Sequence, residues 1–315
     1  NMNSVMDDNK VLTLINSERI TLAVQVSLLF EVEDLSQASP ATVSRCGIIF
    51  NDYKDFGWRP YVDSWLDQFS THPPYRSSMD KYFSSFVKPG LEFRRNKTVQ
   101  TVQVHEICSV MSLCKLLSCV AAPAKCVNPR ADQTEEAYSL ITKLWFLFCF
   151  VWSIGAPINE SGRELFNKWL RQAAPRVYPD KDTVYEYYVS VKSRAMHHWE
   201  QQLDHKWTYS VDSPFYKIFV PTVDTVRNEF LISTSLNAGY PVVIVGPIGT
   251  GKTSAAIQAL TKLDSTKYST LTLNMSSKTS SNMVQDKIES RVEKRTKTTY
   301  VPLGGNKMVT FMDDF

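Results

Sequence analysis

The stretch "GPIGTGKT", residues 246–253, decides the fold of the chain around it. Four residues occupy the fixed positions of the phosphate-loop pattern GxxxxGK[ST]: Gly246, Gly251, Lys252 and Thr253. The glycines allow a tight turn that brings backbone N–H groups to phosphate oxygens. Lys252 is predicted to reach the β- and γ-phosphates, and Thr253 to hold Mg²⁺. The predicted phosphate-binding set also includes the intervening residues: Pro247, Ile248, Gly249 and Thr250.

The elements on both sides of this loop support the interpretation. The run "YPVVIVG", residues 240–246, is typical of a buried parallel strand, and "KTSAAIQALTKL" after the loop is typical of a helix. A strand "YSTLTLNMS", a helix "SNMVQDKIESRVEKR" and a strand "KMVTFMDD" follow. This alternation predicts an α/β fold with a parallel sheet and right-handed crossovers. A chance match in a glycine-rich turn is the alternative, and the flanking elements disfavour it.

The strand "MVTFMDDF" near the end of the sequence ends in two acids. Asp313 is predicted to hold Mg²⁺ through water, and Asp314 stands where an ATPase usually has a glutamate that orients the attacking water. Since aspartate is one methylene shorter, slow hydrolysis is expected, and the site could serve as a nucleotide-sensing switch. The alternative is an ordinary strand end with a solvated pair of aspartates.

A contact for the adenine is expected about one helix upstream of the loop. The segment "FVPTVDTVR" offers Val220, Pro221 and Thr222, whose backbone could pack and hydrogen-bond on the base. The alternative is a helix N-terminus with Thr222 or Asp224 near the cap, and both interpretations can hold together.

Length and composition bound the remaining possibilities. The 315 residues suggest about two domains, and the formal charge of +3 predicts neither nucleic acid nor a membrane as a partner. The run "LWFLFCFVWSIGA", residues 144–156, is too short to span a bilayer and predicts a buried core helix.

The first ten residues do not resemble a signal peptide. Buried thiols rather than a zinc site are expected from the six cysteines: Cys46, Cys108, Cys114, Cys119, Cys126 and Cys149.

The character of the chain changes twice along its length. Residues 20–50 contain two apolar runs typical of strands, "ITLAVQVSLLFEV" and "CGIIF", separated by a polar loop with one possible helical turn. Residues 55–205 show helical spacing, although "VSVKSRAMHHWEQQL" fits no single class. We expect residues 1–50 and 215–315 to form two separate partial parallel sheets on either side of this helical region.

Several of these segments together resemble the motor ring of the axonemal dynein heavy chains, with details nearest an inner-arm type. The segments are "DLSQASPATVSRCGIIF", "GWRPYVDSWL", "VPTVDTVRNEFLI" with "GPIGTGKT", "VEKRTKTTYVPLGG" and "FMDDF". The resemblance implies AAA+ P-loop modules separated by an α-helical lid. Residues 1–50 would end the second large subdomain, 51–210 would form its lid and connector, and 211–315 would begin the third large subdomain with Walker A and Walker B.

The resemblance also implies an activity and a setting. The intact protein would hydrolyse ATP with Mg²⁺ and act on microtubules, whereas a fragment cut inside one module at each end would bind ATP poorly. Implied partners are the remaining AAA+ modules, microtubules through a stalk outside this segment, and dynein intermediate and light chains. The implied location is the cytoskeleton of the cytoplasm and of the cilium or flagellum axoneme.

Two arginines gain candidate roles from the resemblance. Arg45 in "SPATVSRCG" would be an arginine finger to the nucleotide of the preceding module, and the alternative is an arginine that braces its loop. Arg163, which opens a lid helix, would be the second sensor of its own module, and the alternative is a solvated helix residue. The strand "SLLFEVEDL" departs from the family because it lacks the first-sensor asparagine, and carboxylates occupy that region: Glu31, Glu33 and Asp34.

Two other classes of function remain open. In one, the chain is a regulatory or scaffolding module that holds ATP without hydrolysing it, and Asp314 favours this. In the other, it is a stand-alone P-loop enzyme such as a kinase, which would need further strands and an acceptor site.

Overall fold

A computed structural model describes residues 3–122, 135–209, 214 and 218–314 of the chain. Two compact units, Asn1–Phe56 and Gly57–Phe315, divide it, and each is described by itself. The first unit has short elements: α1 Asn3–Met6, β1 Val11–Thr13, β2 Arg19–Thr21, α2 Pro40–Val43 and α3 Tyr53–Phe56. The helical turn expected in the polar loop is confirmed as α2, which Ser39 caps by accepting a hydrogen bond from the Thr42 N–H.

The parallel sheet expected in residues 1–50 is wrong. Strands β1 and β2 pair antiparallel, with Leu12 opposite Ile20, and they are the only paired strands among the described residues of this unit. A tight turn joins them, because the Leu14 N–H donates to the Glu18 carbonyl and Ser17 takes a left-handed φ of 65°. A hairpin turn of this length permits only antiparallel pairing. The run 22–32 and the segment "CGIIF" form no strand.

The helical region expected after the first unit is confirmed. We call residues 59–203 the lid, and six helices form the greater part of its described residues: α4 Arg59–Asp67, α5 Pro73–Tyr82, α6 Lys88–Lys97, α7 Glu106–Val120, α8 Glu135–Ser153 and α9 Glu160–Ala173. A π-helical turn, Phe83–Val87, joins α5 to α6. Pro89 explains the wider turn, since proline has no N–H to donate and its ring crowds the carbonyl four residues earlier.

Helix α8 lies at the centre of the lid core, as the apolar run predicted. Every residue from Leu144 to Val151 is buried. Aromatic rings surround it; the Phe150 ring stacks on Phe166 at 6.0 Å and on Trp169 at 6.2 Å between centroids. In the described part of the chain, no helix combines the length and apolarity needed to cross a membrane.

The segment that fitted no single class forms a hairpin. Strand β3, Tyr187–Ser190, pairs antiparallel with β4, Ala195–His198, between two 3₁₀ turns, Val184–Glu186 and Trp199–Gln202. Aromatic and β-branched residues on these strands pack on the helices, with Tyr187 and Val189 buried. Helical spacing alone could not identify so short a hairpin.

Strands and helices alternate again in what we call the loop region, residues 218–314. Its helices are α10 Val223–Asn237, α11 Lys252–Thr261 and α12 Ser281–Glu289, and its strands are β5 Tyr268–Asn274, β6 Val292–Lys294, β7 Tyr300–Pro302 and β8 Lys307–Asp313. Strands β5 and β8 pair in parallel from Tyr268 opposite Lys307 to Asn274 opposite Asp313. The predicted parallel pairing is therefore confirmed for these two strands.

Two predictions in the loop region are wrong. Residues 240–246 form no strand, since among the described residues they have no ladder partner and Val243 is 84% exposed. An apolar segment becomes a strand only when a neighbour pairs with its backbone. Helix α12 ends at Glu289 rather than continuing through "RVEKR", because Val292–Lys294 pairs antiparallel with Tyr300–Pro302.

The cysteines follow the prediction in part. Cys114, Cys119 and Cys149 are buried in the lid, whereas Cys108 is exposed and Cys46 is half-buried. Burial raises the pKa of the Cys114 thiol to about 12. The expectation for Cys126 lies outside the described residues.

Candidate functional site

The phosphate loop has a backbone suited to anions. Gly249 and Gly251 take left-handed φ values of 81° and 76°, which side chains other than glycine rarely adopt. Gly251 is the N-cap of α11, and since glycine has no side chain to cap the helix, its first N–H groups stay available. A helix N-terminus with exposed N–H groups after a glycine turn is a ready anion site.

The Lys252 ammonium bonds the backbone of the phosphate loop itself. The Nζ of Lys252 donates to the carbonyl oxygens of Gly246 and Pro247, at 2.9 and 2.7 Å. At Gly246, a Cβ would lie 3.3 Å from the Thr250 hydroxyl, so this position favours glycine because of close approach. The Thr250 hydroxyl itself donates to the Pro247 carbonyl at 2.9 Å. These contacts hold the loop closed around the Lys252 ammonium.

The structure brings the two predicted magnesium residues together. The hydroxyl of Thr253 donates to Oδ1 of Asp313 at 2.9 Å, although sixty residues separate them in sequence. Thr253 lies in the first turn of α11, and Asp313 ends β8 beside Asn274 of β5. A hydroxyl and a carboxylate are ligands that Mg²⁺ takes when water and phosphate complete its octahedron. The donor set therefore fits the ion.

The described residues contain no cluster of three or more histidine, cysteine or acidic side chains that could enclose a metal. Such a cage is not what Mg²⁺ with a nucleotide requires, because that ion is usually held by one or two protein groups and the phosphates. Two cavities of about 360 and 660 Å³ lie where the lid meets α10 rather than at the loop. The loop presents its N–H groups at an open surface, with Ile248 fully exposed.

Asp314 lies beyond the end of β8. Its φ is 55° and its side chain is exposed, whereas Asp313 is half-buried. The left-handed backbone turns the chain away from the strand direction immediately after Asp313. The two acids therefore occupy different environments: Asp313 accepts a hydrogen bond from Thr253, and Asp314 faces solvent.

The proposed adenine segment is also a helix start. Thr222 is the N-cap of α10, and it forms a capping box in which its hydroxyl accepts from the Thr225 N–H while the Thr225 hydroxyl accepts from the Thr222 N–H. The capping alternative is therefore present in the structure. Val220 is 54% exposed and Pro221 is half-buried, so the backbone before the cap is accessible.

Arg45 is engaged within its own unit. Its Nε forms an ion pair with Asp7, and its Nη1 donates to the Ala41 carbonyl at 2.6 Å. These contacts brace the turn after α2, as the alternative interpretation expected. A finger role would require the guanidinium to leave Asp7.

Arg163 is tied to the start of its helix. Its Nε and Nη2 each donate at 3.2 Å, to the carbonyls of Ile158 and Ala156. Its guanidinium lies over the Tyr185 ring at 4.9 Å. It is therefore not simply a solvated helix residue, because it closes the turn that leads into α9.

The carboxylates that depart from the family pattern are exposed. Glu31, Glu33 and Asp34 all lie in a stretch without helix or strand. Hydrogen bonds from the Ser36 side chain and backbone hold the pKa of the Asp34 carboxyl below its usual value. The Asp34 carboxylate therefore stays negative at neutral pH, and a negative group repels a γ-phosphate.

Sequence reasoning missed Arg227. Its guanidinium is buried and bonds both carboxylate oxygens of Glu186 in the lid, at 3.0 and 3.1 Å, and also Asp224. The sequence signal was the pair Asp224 and Arg227 at i,i+3 spacing on a predicted helix. The partner Glu186 gave no signal, because only the folded lid brings it near.

Comparison with known proteins now places the chain in a family. A family model described as "P-loop containing dynein motor region" matches residues 207–315, and "Dynein heavy chain AAA lid domain" matches residues 79–201. The chain is 51% identical over 314 residues to "Dynein axonemal heavy chain 2" of Mus musculus, covering 99% of this chain and 7% of that protein. The chain belongs to the axonemal dynein heavy chain family. The expected AAA+ P-loop fold with a helical lid is thereby confirmed.

Other dynein heavy chains match with similar coverage. The Homo sapiens protein of the same name is 50% identical over 315 residues, which is 100% of this chain and 7% of the relative. "Dynein-1-beta heavy chain, flagellar inner arm I1 complex" of Chlamydomonas reinhardtii is 38% identical over 344 residues, covering 99% of this chain and 8% of the relative. The chain therefore spans less than a tenth of the length of these relatives.

Proposed function

We propose that the chain is the ATP-binding segment of a microtubule motor ATPase of cilia and flagella. It would comprise the end of the second AAA+ module, 1–50, the lid and connector, 51–210, and the first half of the third module, 211–315. The observation that carries the proposal is the bond between Thr253 and Asp313 at 2.9 Å, at the mouth of a glycine loop that begins a helix. Relatives named as axonemal heavy chains support the setting.

The residues of the site would divide the work. The N–H groups of residues 246–253 and the Lys252 ammonium would bind the phosphates, and Thr253 and Asp313 would hold the magnesium ion. When bound, Mg²⁺ neutralises charge on the transferring phosphoryl group. The backbone of Val220 to Thr222 would contact adenine beside the cap it already forms. Asp314 would orient water.

Lys252→Ala in the intact heavy chain tests the nucleotide site. The substitution removes the cation that meets the β- and γ-phosphates, so binding of a fluorescent ATP analogue should fall by one site per chain. Microtubule gliding should slow without stopping if this site regulates the motor. Lys267→Ala is the matched control, because Lys267 is a largely exposed lysine in the turn between α11 and β5, where it pairs with Asp264. Unchanged ATP stoichiometry in Lys252→Ala would overturn the proposal.

A second candidate function is a module that holds ATP without hydrolysing it. The exposed, left-handed Asp314 favours it, because a carboxylate one methylene short cannot readily reach the attacking water. Asp314→Glu should then raise single-turnover hydrolysis at this site about tenfold or more, since small displacements carry large rate factors. A rate unchanged by Asp314→Glu, with ATP bound, would exclude Asp314 as the limiting group.

Arg45 would act on the nucleotide of the preceding module. An arginine finger contributes about 10³ or more in rate. Arg45→Ala should therefore collapse ATPase activity and gliding while ATP still binds at Lys252. If Arg45 only braces its turn, Asp7→Asn should lower thermal stability as much as Arg45→Ala, and turnover per folded molecule should stay nearly constant for both. Arg19→Ala, at an exposed arginine of β2, is the control.

The remaining roles concern the wider assembly. Arg163 would sense the second module's nucleotide, and its contacts with the turn before α9 would position it there. The exposed acids Glu31, Glu33 and Asp34 support a second module that holds nucleotide without turnover. The partners would be the other AAA+ modules of the heavy chain, microtubules through a stalk elsewhere in the protein, and intermediate and light chains. The location would be the axoneme.

A further inference from the structure

We propose that Arg227 is a positioning residue that makes the lid respond to nucleotide at the phosphate loop. It joins α10 to the lid turn Val184–Glu186, so that the loop region and the lid move together. This inference rests on the proposed nucleotide site and names the contact through which that site regulates its neighbour.

The Arg227 contacts are directional and largely removed from water. Its side chain is 9% exposed, and its Nη1 lies 3.0 and 3.1 Å from the two oxygens of Glu186. Nη2 pairs with Asp224 one turn earlier on the same helix, and the guanidinium lies 5.2 Å from the centroid of the Trp152 ring of α8. A planar guanidinium held on several sides tolerates little sliding, unlike apolar packing.

The same helix is joined to the phosphate loop on another side. Glu229 of α10 pairs with Lys262 at 2.7 and 2.8 Å, and Lys262 is the C-cap of α11. Helix α11 begins at the loop with Lys252. A displacement of the loop is therefore transmitted through a rigid helix to α10 and from there to the lid.

Aromatic contacts provide the surface on which this motion is transmitted. Phe230 of α10 packs at 6.0 Å from Phe148 and at 5.4 Å from Trp199 of the lid. Such contacts keep the surfaces together but do not fix their register, because apolar attraction has no direction. The ion pair between Arg227 and Glu186 supplies the register.

A purely structural anchor is the competing explanation, because breaking one partner of a buried pair destabilises a protein strongly. The two explanations differ in what nucleotide does. An anchor lowers the stability of the lid with or without ATP. A positioning residue controls how much of the ATP response reaches the lid.

Hydrogen exchange on the intact heavy chain separates them. Peptides covering residues 246–253 and 184–190 are followed with and without Mg–ATP, and the part of the response lost in Lys252→Ala is assigned to this site. In the parent, ATP should protect both peptides. In Arg227→Ala and in Glu186→Gln, protection of 246–253 should stay within about twofold, while protection of 184–190 should fall about tenfold. Arg227→Lys should retain part of the ATP-dependent protection of 184–190.

A double-mutant cycle and a control complete the test. Arg227→Ala with Glu186→Gln should reduce the lid response no further than either change alone, since both remove one interaction. Arg95→Ala removes an arginine–glutamate pair within the lid and should leave the response intact. Additive losses, or an equal lid response in parent and Arg227→Ala, would overturn the coupling. No protection of 246–253 in the parent would instead refute the nucleotide site, and this inference with it.

Discussion

The lid and the loop region bury their apolar residues differently. The largest fully buried side chains of the described chain all lie in the lid, among them Phe83, Phe146 and Phe150. In the loop region only half of the buried residues that the structure describes are small, such as Ala255 and Ala259 of α11, and none is aromatic. The lid encloses its own core, whereas the loop region depends on α10 for its contact with that core.

The difference comes from how each element satisfies its backbone. A helix forms its hydrogen bonds internally and needs only one apolar face covered. A strand needs a neighbour along its whole length, and two paired strands alone are marginal in water. The helices of the lid therefore complete a core from neighbouring sequence, while β5 and β8 form a sheet of only two strands among the described residues.

The largest expected contrast is chemical. Burial raises the pKa of Cys114 from an ordinary value of 9.0 to about 12, so its thiolate fraction at pH 7 should be about a thousandfold below that of an ordinary thiol. Iodoacetamide should label the exposed Cys108 readily and leave Cys114 unmodified. Because the Cys114 thiol loses its proton only as the pH approaches about 12, raising the pH from 7 to 9 should still leave Cys114 unlabelled. Native labelling of Cys114 would mean that the lid core opens.

Phe150→Ala should destabilise the lid by about 3–5 kcal/mol, because the ring is fully buried and the cavity cannot collapse against four aromatic neighbours. Urea unfolding followed by tryptophan fluorescence measures it. Leu165→Ala is the control in the same fold, since Leu165 is 47% exposed on α9, and it should cost less than about 1 kcal/mol. Equal losses would contradict a closed lid core.

Thr222→Ala should cost about 1 kcal/mol, because it removes the N-cap of the helix that joins the two regions. Thr222→Ser keeps a hydroxyl oxygen at the cap and should therefore retain most of the stability that Thr222→Ala loses. ATP affinity should stay constant in both variants if adenine is contacted by the backbone there. A loss of affinity in Thr222→Ala that serine repairs would assign the contact to the hydroxyl.

Val243→Ala should change the free energy of unfolding by less than about 0.5 kcal/mol, because the side chain is 84% exposed. The sequence pattern alone predicts a core strand there and hence a loss of about 1–3 kcal/mol. Denaturant unfolding of the 315-residue chain decides between them. A large loss would show that residues 240–246 pair in solution and that the loop region is as closed as the lid.

Much of the candidate site could be predicted from local sequence. The loop, its helix and the strand that ends at Asp313 each carry a local pattern, and the structure brings Thr253 and Asp313 within 2.9 Å. The environment of Asp314 could not be predicted, because its left-handed φ depends on how the chain leaves β8. The parallel sheet predicted in residues 1–50 and the strand predicted at 240–246 do not form, since apolar runs at 20–32 and 240–246 indicate a preference for strands but not a partner.

The sequence by itself determined the glycine loop, the main helices of the lid and the apolar run that became its central helix. These features depend on residues within a few turns of one another, where spacing and side-chain shape act directly. Only the tertiary structure decided which apolar runs pair as strands. It also decided that Arg45 forms an ion pair with Asp7, and that Arg227 bonds Glu186, forty-one residues away in sequence. Such contacts depend on distances between segments remote in sequence, and the packing of the whole core sets those distances.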